Sequence, residues 1–158
     1  MQETLSILQP EALSPDRTAR ETGRTGEELA AKYIVQNAGR LVLANFKVPI
    51  GRNSKGVQVS GEIDLVAFDE DTLCFVEVKT RRSKGFGGPL AAVDLRKQRQ
   101  IIRTARIYRN IFRVRNVKYR FDVLTVLLEK NREPEIEWIK GFWNEAKFRK
   151  KAWNGDIW

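Results

Sequence analysis

Asp64, Glu77 and Lys79 could do chemistry together, because alternation along two neighbouring apolar stretches puts all three on one face of one hairpin. Residues 61–68 (GEIDLVAF) set Glu62, Asp64, Val66 and Phe68 against Ile63, Leu65 and Ala67. Residues 73–80 (LCFVEVKT) set Leu73, Phe75, Glu77 and Lys79 against Cys74, Val76 and Val78. The polar tip Asp69, Glu70, Asp71 and Thr72 suits a tight turn. A loop of two or four residues pairs positions whose numbers sum to 141. That register predicts Asp64 opposite Glu77 and Glu62 opposite Lys79; a three-residue loop breaks it.

Directly opposed residues bring their Cβ atoms to about 4.5–5.5 Å, where like charges destabilise a sheet unless something compensates them. Two such carboxylates either share a proton or hold a cation. The carboxylates of Asp64 and Glu77, the backbone carbonyl of Val78 and water form an oxygen set that suits Mg²⁺ or Mn²⁺. Lys79 would then orient or deprotonate a water, or stabilise charge on a transferring phosphate. The same spacing also fits a solvated strand face with an ordinary Glu62–Lys79 ion pair.

Composition narrows the chemistry. The chain has 158 residues and 42% hydrophobic content, enough for one domain with a real core. It contains no histidine, which removes Ser-His-Asp and Cys-His catalysis and nearly every zinc hydrolase arrangement. The single cysteine, Cys74, lies in an apolar stretch, so buried packing is expected of it, with neither a disulfide framework nor a cysteine zinc cluster. The amino terminus (MQETLSILQPEALSPDR) lacks a basic start followed by an apolar core, and no apolar run approaches membrane-spanning length. A cytoplasmic protein that does not enter a membrane is expected.

Charge is unevenly distributed. Residues 79–120 hold 14 Lys or Arg against one acid, Asp94, whereas the rest of the chain has 15 basic and 19 acidic residues. A basic segment directly after the candidate site is the pattern of a surface for a phosphate backbone, so a polyanion is the expected partner.

The elements that must position these residues follow along the chain. Residues 1–22 are polar, contain Pro10 and Pro15, and read as a mobile arm. A helical pattern over 25–38 ends at Gly39 and turns Glu27 inward with Ala30, Ala31, Ile34 and Ala38, while Glu28 points away. Glu27 there either favours the helix dipole or supplies a third acidic group to the site. Residues 41–48 read as a strand, followed by the basic connection IGRNSKGVQVS, a candidate hairpin arm. The run RRSKGFGGP, with Arg81 and Arg82, is either a solvated loop or the border of a substrate groove.

Residues 90–112 form the best helical pattern, with Ile101, Ala105, Tyr108 and Phe112 on one face. Arg96, Arg99, Arg103, Arg106 and Arg113 form the opposite stripe without acidic partners at helical spacing, which favours phosphate contact. Lys97 and Gln98 flank the apolar face, within reach of a neighbouring strand end. Residues 120–128 read as a buried strand and 135–139 as an edge strand. The tail from Gly141 carries Trp143, Trp153 and Trp158 among basic residues; docking onto its own domain is preferred to base stacking. The domain plan is an arm over 1–22, a core over 23–140 and a basic, tryptophan-containing tail over 141–158. The element order suggests an α/β fold with a mixed sheet between helices.

GRTGEELAAKYI, GEIDLVAFDEDTLCFVEVKTRR, the helix around Lys97–Tyr108 and RFDVLTV together resemble the YraN family of uncharacterised bacterial proteins, over residues 23–126. That family looks like a branch of the restriction-endonuclease-like superfamily and is similar to archaeal Holliday junction resolvases. The resemblance implies a restriction-endonuclease-like core in the order αβββαβ. It matches Asp64 to the metal-binding aspartate, Glu77 and Lys79 to the acidic-x-lysine pair, Glu27 to a helical glutamate, and Lys97 or Gln98 to the basic or amide residue on the following helix. It also implies Mg²⁺-dependent endonuclease hydrolysis of structured DNA and a homodimer. Ile63 stands before Asp64, where the superfamily pattern leads one to expect proline.

Two functions compete at this point. One is a nuclease with Glu27, Asp64, Glu77 and Lys79 in the catalytic set, and with Arg81, Arg82, Arg96, Lys97, Gln98, Arg99, Arg103 and Arg106 on nucleic acid. The other is a non-catalytic nucleic-acid-binding module for recombination or repair. An arginine stripe reads phosphate and does not distinguish DNA from RNA.

Overall fold

The computed structural model describes residues 15–85 and 93–148. Helix α1 (Pro15–Gln36) leads into strands β1 (Gly39–Arg52), β2 (Gln58–Asp69) and β3 (Thr72–Arg81). Helix α2 (Leu95–Ile111) follows, then β4 (Tyr119–Leu127), β5 (Glu135–Trp143) and a 3-10 turn (Glu145–Phe148). The strands form one mixed sheet in the order β1-β2-β3-β4-β5, in which only β3 and β4 run parallel, joined through α2. Through β4 this is the expected αβββαβ order.

Each face of the sheet buries its own core. Val66, Phe75, Phe121 and Val123 pack under Ile101, Ala105 and Tyr108 of α2. Leu65, Ala67, Cys74, Val76, Leu124 and Val126 pack under Ala30 and Ile34 of α1. Cys74 is fully buried, as expected, and desolvation pushes its thiol up to about 12. Trp143 is buried and stacks on Phe121 at 5.3 Å, so this tryptophan docks on its own domain. Trp153 and Trp158 lie outside the described residues.

Two glycines let the helices approach the sheet. A Cβ on Gly26 of α1 would come within 1.8 Å of the Thr80 Oγ1, and one on Gly61 within 1.9 Å of the Thr104 Oγ1 of α2. Both sites therefore require the missing side chain.

Several boundaries differ from the sequence reading. The helix begins at Pro15, inside the segment read as an arm. Thr22 and Thr25 hydroxyls bond back to the carbonyls of Thr18 and Glu21, and such residues give a helix a polar, aperiodic look. Gly39 does not cap α1: the positive φ falls on Ala38, and Gly39 opens β1, where an added Cβ would come within 2.5 Å of the Ile34 side chain. Helix α2 starts at Leu95, with Asp94 accepting the Lys97 amide at 2.8 Å as its cap. The expected start at 90 lies outside the described residues. The basic connection after β1 is the tip of the β1–β2 hairpin, where the Asn53 side chain accepts the amides of Lys55 and Val57.

Candidate functional site

The hairpin register is the expected one: Leu65↔Val76, Phe68↔Leu73 and Asp69↔Thr72 all keep it. The ladder stops at Leu65↔Val76, however, so Asp64 and Glu77 are not cross-strand partners, and neither are Glu62 and Lys79. Beyond that point β2 follows β1 as far as Gln58, while β3 follows β4 as far as Arg81. The strands fork. The Asp64 Oδ2 fills the crotch by accepting the Val78 N–H at 2.8 Å, an amide the ladder no longer satisfies.

A local kink accompanies the fork. Asn45, which the β1–β2 register places across from Asp64, has a φ of 54° and interrupts the ladder between Ala44↔Leu65 and Phe46↔Ile63. On either side of it, Leu43 and Phe46 of β1, and Ile63 and Val66 of β2, all join the α2-side core. Strict alternation, which put Ile63 with Leu65, therefore fails here, and the carboxylate of Asp64 is re-aimed.

Glu77 is 3% exposed. Its Oε1 receives Lys79 Nζ at 3.2 Å and Lys97 Nζ at 3.5 Å, whereas its buried Oε2 has no hydrogen-bond partner. Lys79 pairs with Glu77 and not with Glu62, the partner that the alternative reading of a solvated strand face gave it. Burial, then the charge of Glu77, pushes Asp64 up to about 7 from 3.8, with Glu27 adding to the rise and Lys97 opposing it. Glu27 is raised as well, by burial first and then by Glu62 and Glu77. Glu27 therefore feels Glu62 and Glu77, Asp64 feels Glu77 and Glu27, and α1 turns Glu27 toward the fork while Glu28 stays exposed.

The donors are hard oxygens, and the unpartnered Glu77 Oε2 beside a carboxyl held near neutrality is chemistry that fits a divalent cation. Among the described residues, no group of three or more acidic or cysteine side chains is already gathered as a metal cage.

The basic residues divide. Lys97 reaches Glu77, and Gln98 is buried with its Nε2 on the Val93 carbonyl at 2.9 Å. Arg82 reaches the Thr22 hydroxyl of α1. The α2 stripe is not simply free for phosphate. Arg103 donates to the Ile50 carbonyl at 2.5 Å, Arg106 pairs with Glu145 at 2.7 Å, and Arg99 lies over the Phe148 ring at 5.4 Å. These partners come from β1 and the 3-10 turn, at spacings no helical pattern reveals. Arg96 is exposed. Glu62, marked by the hairpin pattern only as a pairing partner, and Thr22 and Thr80 carry no motif of their own; the signal for close helix–sheet approach near them is Gly26 and Gly61, within the quoted motifs.

No helix among the described residues is long and apolar enough to cross a membrane. The profile of a family described as Uncharacterised protein family UPF0102 matches residues 26–126. A UPF0102 protein of Chlorobium limicola is 35% identical over 137 residues, covering 83% of this chain and 98% of that protein. Another, from Trichlorobacter lovleyi, is 42% identical over 118 residues, covering 74% and 85% respectively. The crystal structure of SSO0001 aligns with 85% of this chain and 56% of that one, at a TM-score of 0.39 and 17% identity. With its motif-bearing segments inside the matched span from Gly26 onward, the chain belongs to the UPF0102 (YraN) family.

Proposed function

We propose that this protein is a metal-dependent nuclease that hydrolyses phosphodiester bonds in structured or branched DNA. The observation that carries the reading is the Glu77 carboxylate: buried, with one oxygen on Lys79 and Lys97 and the other unpartnered beside Asp64. A buried carboxylate oxygen left without a donor is costly unless a ligand completes it.

Asp64, Glu77 and the Val78 carbonyl would hold Mg²⁺ or Mn²⁺, which when bound supplies a polarised phosphoryl oxygen and a more acidic water. The residues of the chain do the rest. The Val78 amide holds the Asp64 carboxylate in place at 2.8 Å. Lys79, fixed by Glu77, would donate to the phosphoryl oxygens on which negative charge builds as the water attacks in line. Glu27 faces the same carboxylates from α1 and contributes through water or directly. Arg96 and Arg99 on α2, with Arg81 at the end of β3 and Arg82 just after it, position the backbone.

A nucleic-acid-binding module without catalysis is favoured by one observation, the lack of a ready-made acidic cage among the described residues. The two readings separate on linear, flapped and four-way DNA, with and without Mg²⁺ or Mn²⁺, comparing the wild type with Asp64→Ala, Glu77→Ala and Lys79→Ala. Metal-dependent cleavage lost in all three variants supports the nuclease. Cleavage that survives them, or tight binding with no cleavage by any protein, rejects it.

A further inference from the structure

A cavity of about 430 Å³ lies between the first half of α1 and the end of β3, lined in part by Thr22, Gly23, Glu27, Val78, Thr80 and Arg82. Glu27 and Val78 belong also to the candidate site, so the cavity opens onto it. We propose that this cavity is a subsite for one nucleotide unit, phosphate and sugar, of an unpaired strand. The inference rests on the nucleic-acid reading above and names where a strand end enters.

Three observations carry it. The size falls within the roughly 300–1,000 Å³ of small-ligand sites. The Arg82 guanidinium is oriented by its Nε donating to the Thr22 Oγ1 at 2.9 Å and its Nη2 donating to the same oxygen, which leaves Nη1 as the open end, and that hydroxyl in turn donates to the Thr18 carbonyl at 2.7 Å. A guanidinium fixed in this way keeps donors in its planar fork for a phosphate oxygen, beside a second hydroxyl from Thr80.

Gly23 is the third observation. It sits inside α1, where glycine weakens a helix relative to alanine. Packing does not require it: a Cβ there would meet nothing within 4 Å, unlike one on Gly26 three residues on. The cost to the helix is explained if the bare backbone forms a wall against which a sugar-phosphate lies.

The test uses the full chain in EDTA, so that nothing is cleaved. Binding of fluorescein-labelled duplex DNA with a short single-stranded overhang is compared with that of the blunt duplex, for wild type, Thr22→Val, Gly23→Ala and Arg82→Gln. Gly23→Ala should raise the melting temperature and yet weaken overhang binding by roughly tenfold, because its methyl would stand where the sugar-phosphate lies, with blunt-duplex binding unchanged. Arg82→Gln should weaken it as much. In amide NMR, dTMP should shift Thr22 and Gly23, while inorganic phosphate alone should leave Gly23 in place. A Gly23→Ala protein that gains stability and binds the overhang as before overturns the subsite, as does an equal loss on blunt DNA. If the overhang binds through this pocket but Mg²⁺ never brings cleavage, the nuclease reading falls and the subsite stands.

Discussion

Asp64 accepts the Val78 backbone N–H at 2.8 Å across the point where β2 and β3 part, so one carboxylate both closes the strand fork and faces Glu77. Burial and Glu77 raise its pKa from 3.8 to about 7, which means the folded chain holds this proton more tightly than the unfolded chain does. The Asp64 contribution is therefore fully favourable below about pH 4 and is lost as pH rises toward 7. Asp64→Asn should raise the melting temperature in EDTA at about pH 8 and change it little at about pH 4. An equal shift at both pH values would show that charge is not the cause.

A divalent cation that binds the folded chain alone must stabilise it by mass action. Mn²⁺ or Mg²⁺ should raise the wild-type melting temperature at about pH 8, where Asp64 is ionised, and Glu77→Gln should abolish most of that rise. Calorimetric titration checks the same point, and wild-type heats no larger than those of Glu77→Gln would remove both residues from metal binding.

Gly61 and Thr104 set how closely α2 lies on β2. Gly61→Ala forces a Cβ onto the Thr104 hydroxyl and should cost about 1–3 kcal/mol, the usual scale of overpacking. Thr104→Ala in the same chain should recover part of it, since the Thr104 Cβ itself would stand 3.2 Å away. Urea denaturation of the two single variants and the double variant measures the coupling, and strict additivity would refute the contact.

The arginines of α2 should not behave alike. Replacing Arg96 and Arg99 with alanine should reduce the slope of log affinity against log salt on duplex DNA by about two units if both touch phosphate. Arg106→Ala should instead lower stability and loosen the 3-10 turn, because Arg106 and the Tyr119 hydroxyl both hold Glu145. Burial pushes the Glu145 carboxyl up, but those two bonds hold it below its ordinary range. An unchanged salt slope for the Arg96–Arg99 pair rejects their phosphate role.

Asp122 is fully buried and accepts Gly141 N–H, Trp138 Nε1–H and Arg120 Nε–H at 2.8 to 2.9 Å. Asp122→Ala leaves the Arg120 charge short of its partner and should cost about 3–5 kcal/mol, measured by chemical denaturation. A loss below about 1 kcal/mol would mean the network relaxes around the gap.

Alternation and turn chemistry made the hairpin legible. Leu65, Val66 and Ala67 have paired partners at the register the sequence implies, because a period of two leaves one answer once both faces are buried. The inward turn of Glu27 and the reach of Lys97 to a strand end followed from helical spacing for the same reason. What local pattern does not encode is where a ladder ends. The fork below Leu65 depends on β2 and β3 choosing different neighbours, and Asn45 across from Asp64 takes its left-handed φ on another strand. So the sequence alone determined which residues carry charge on which element, whereas the tertiary structure decided which charges meet. It brought Lys79 and Lys97 to one oxygen of Glu77 and tied Arg103 and Arg106 to β1 and the 3-10 turn. The physical reason is range: alternation and helical period act over a few residues, while burial and Coulomb interactions act between whatever the fold places side by side.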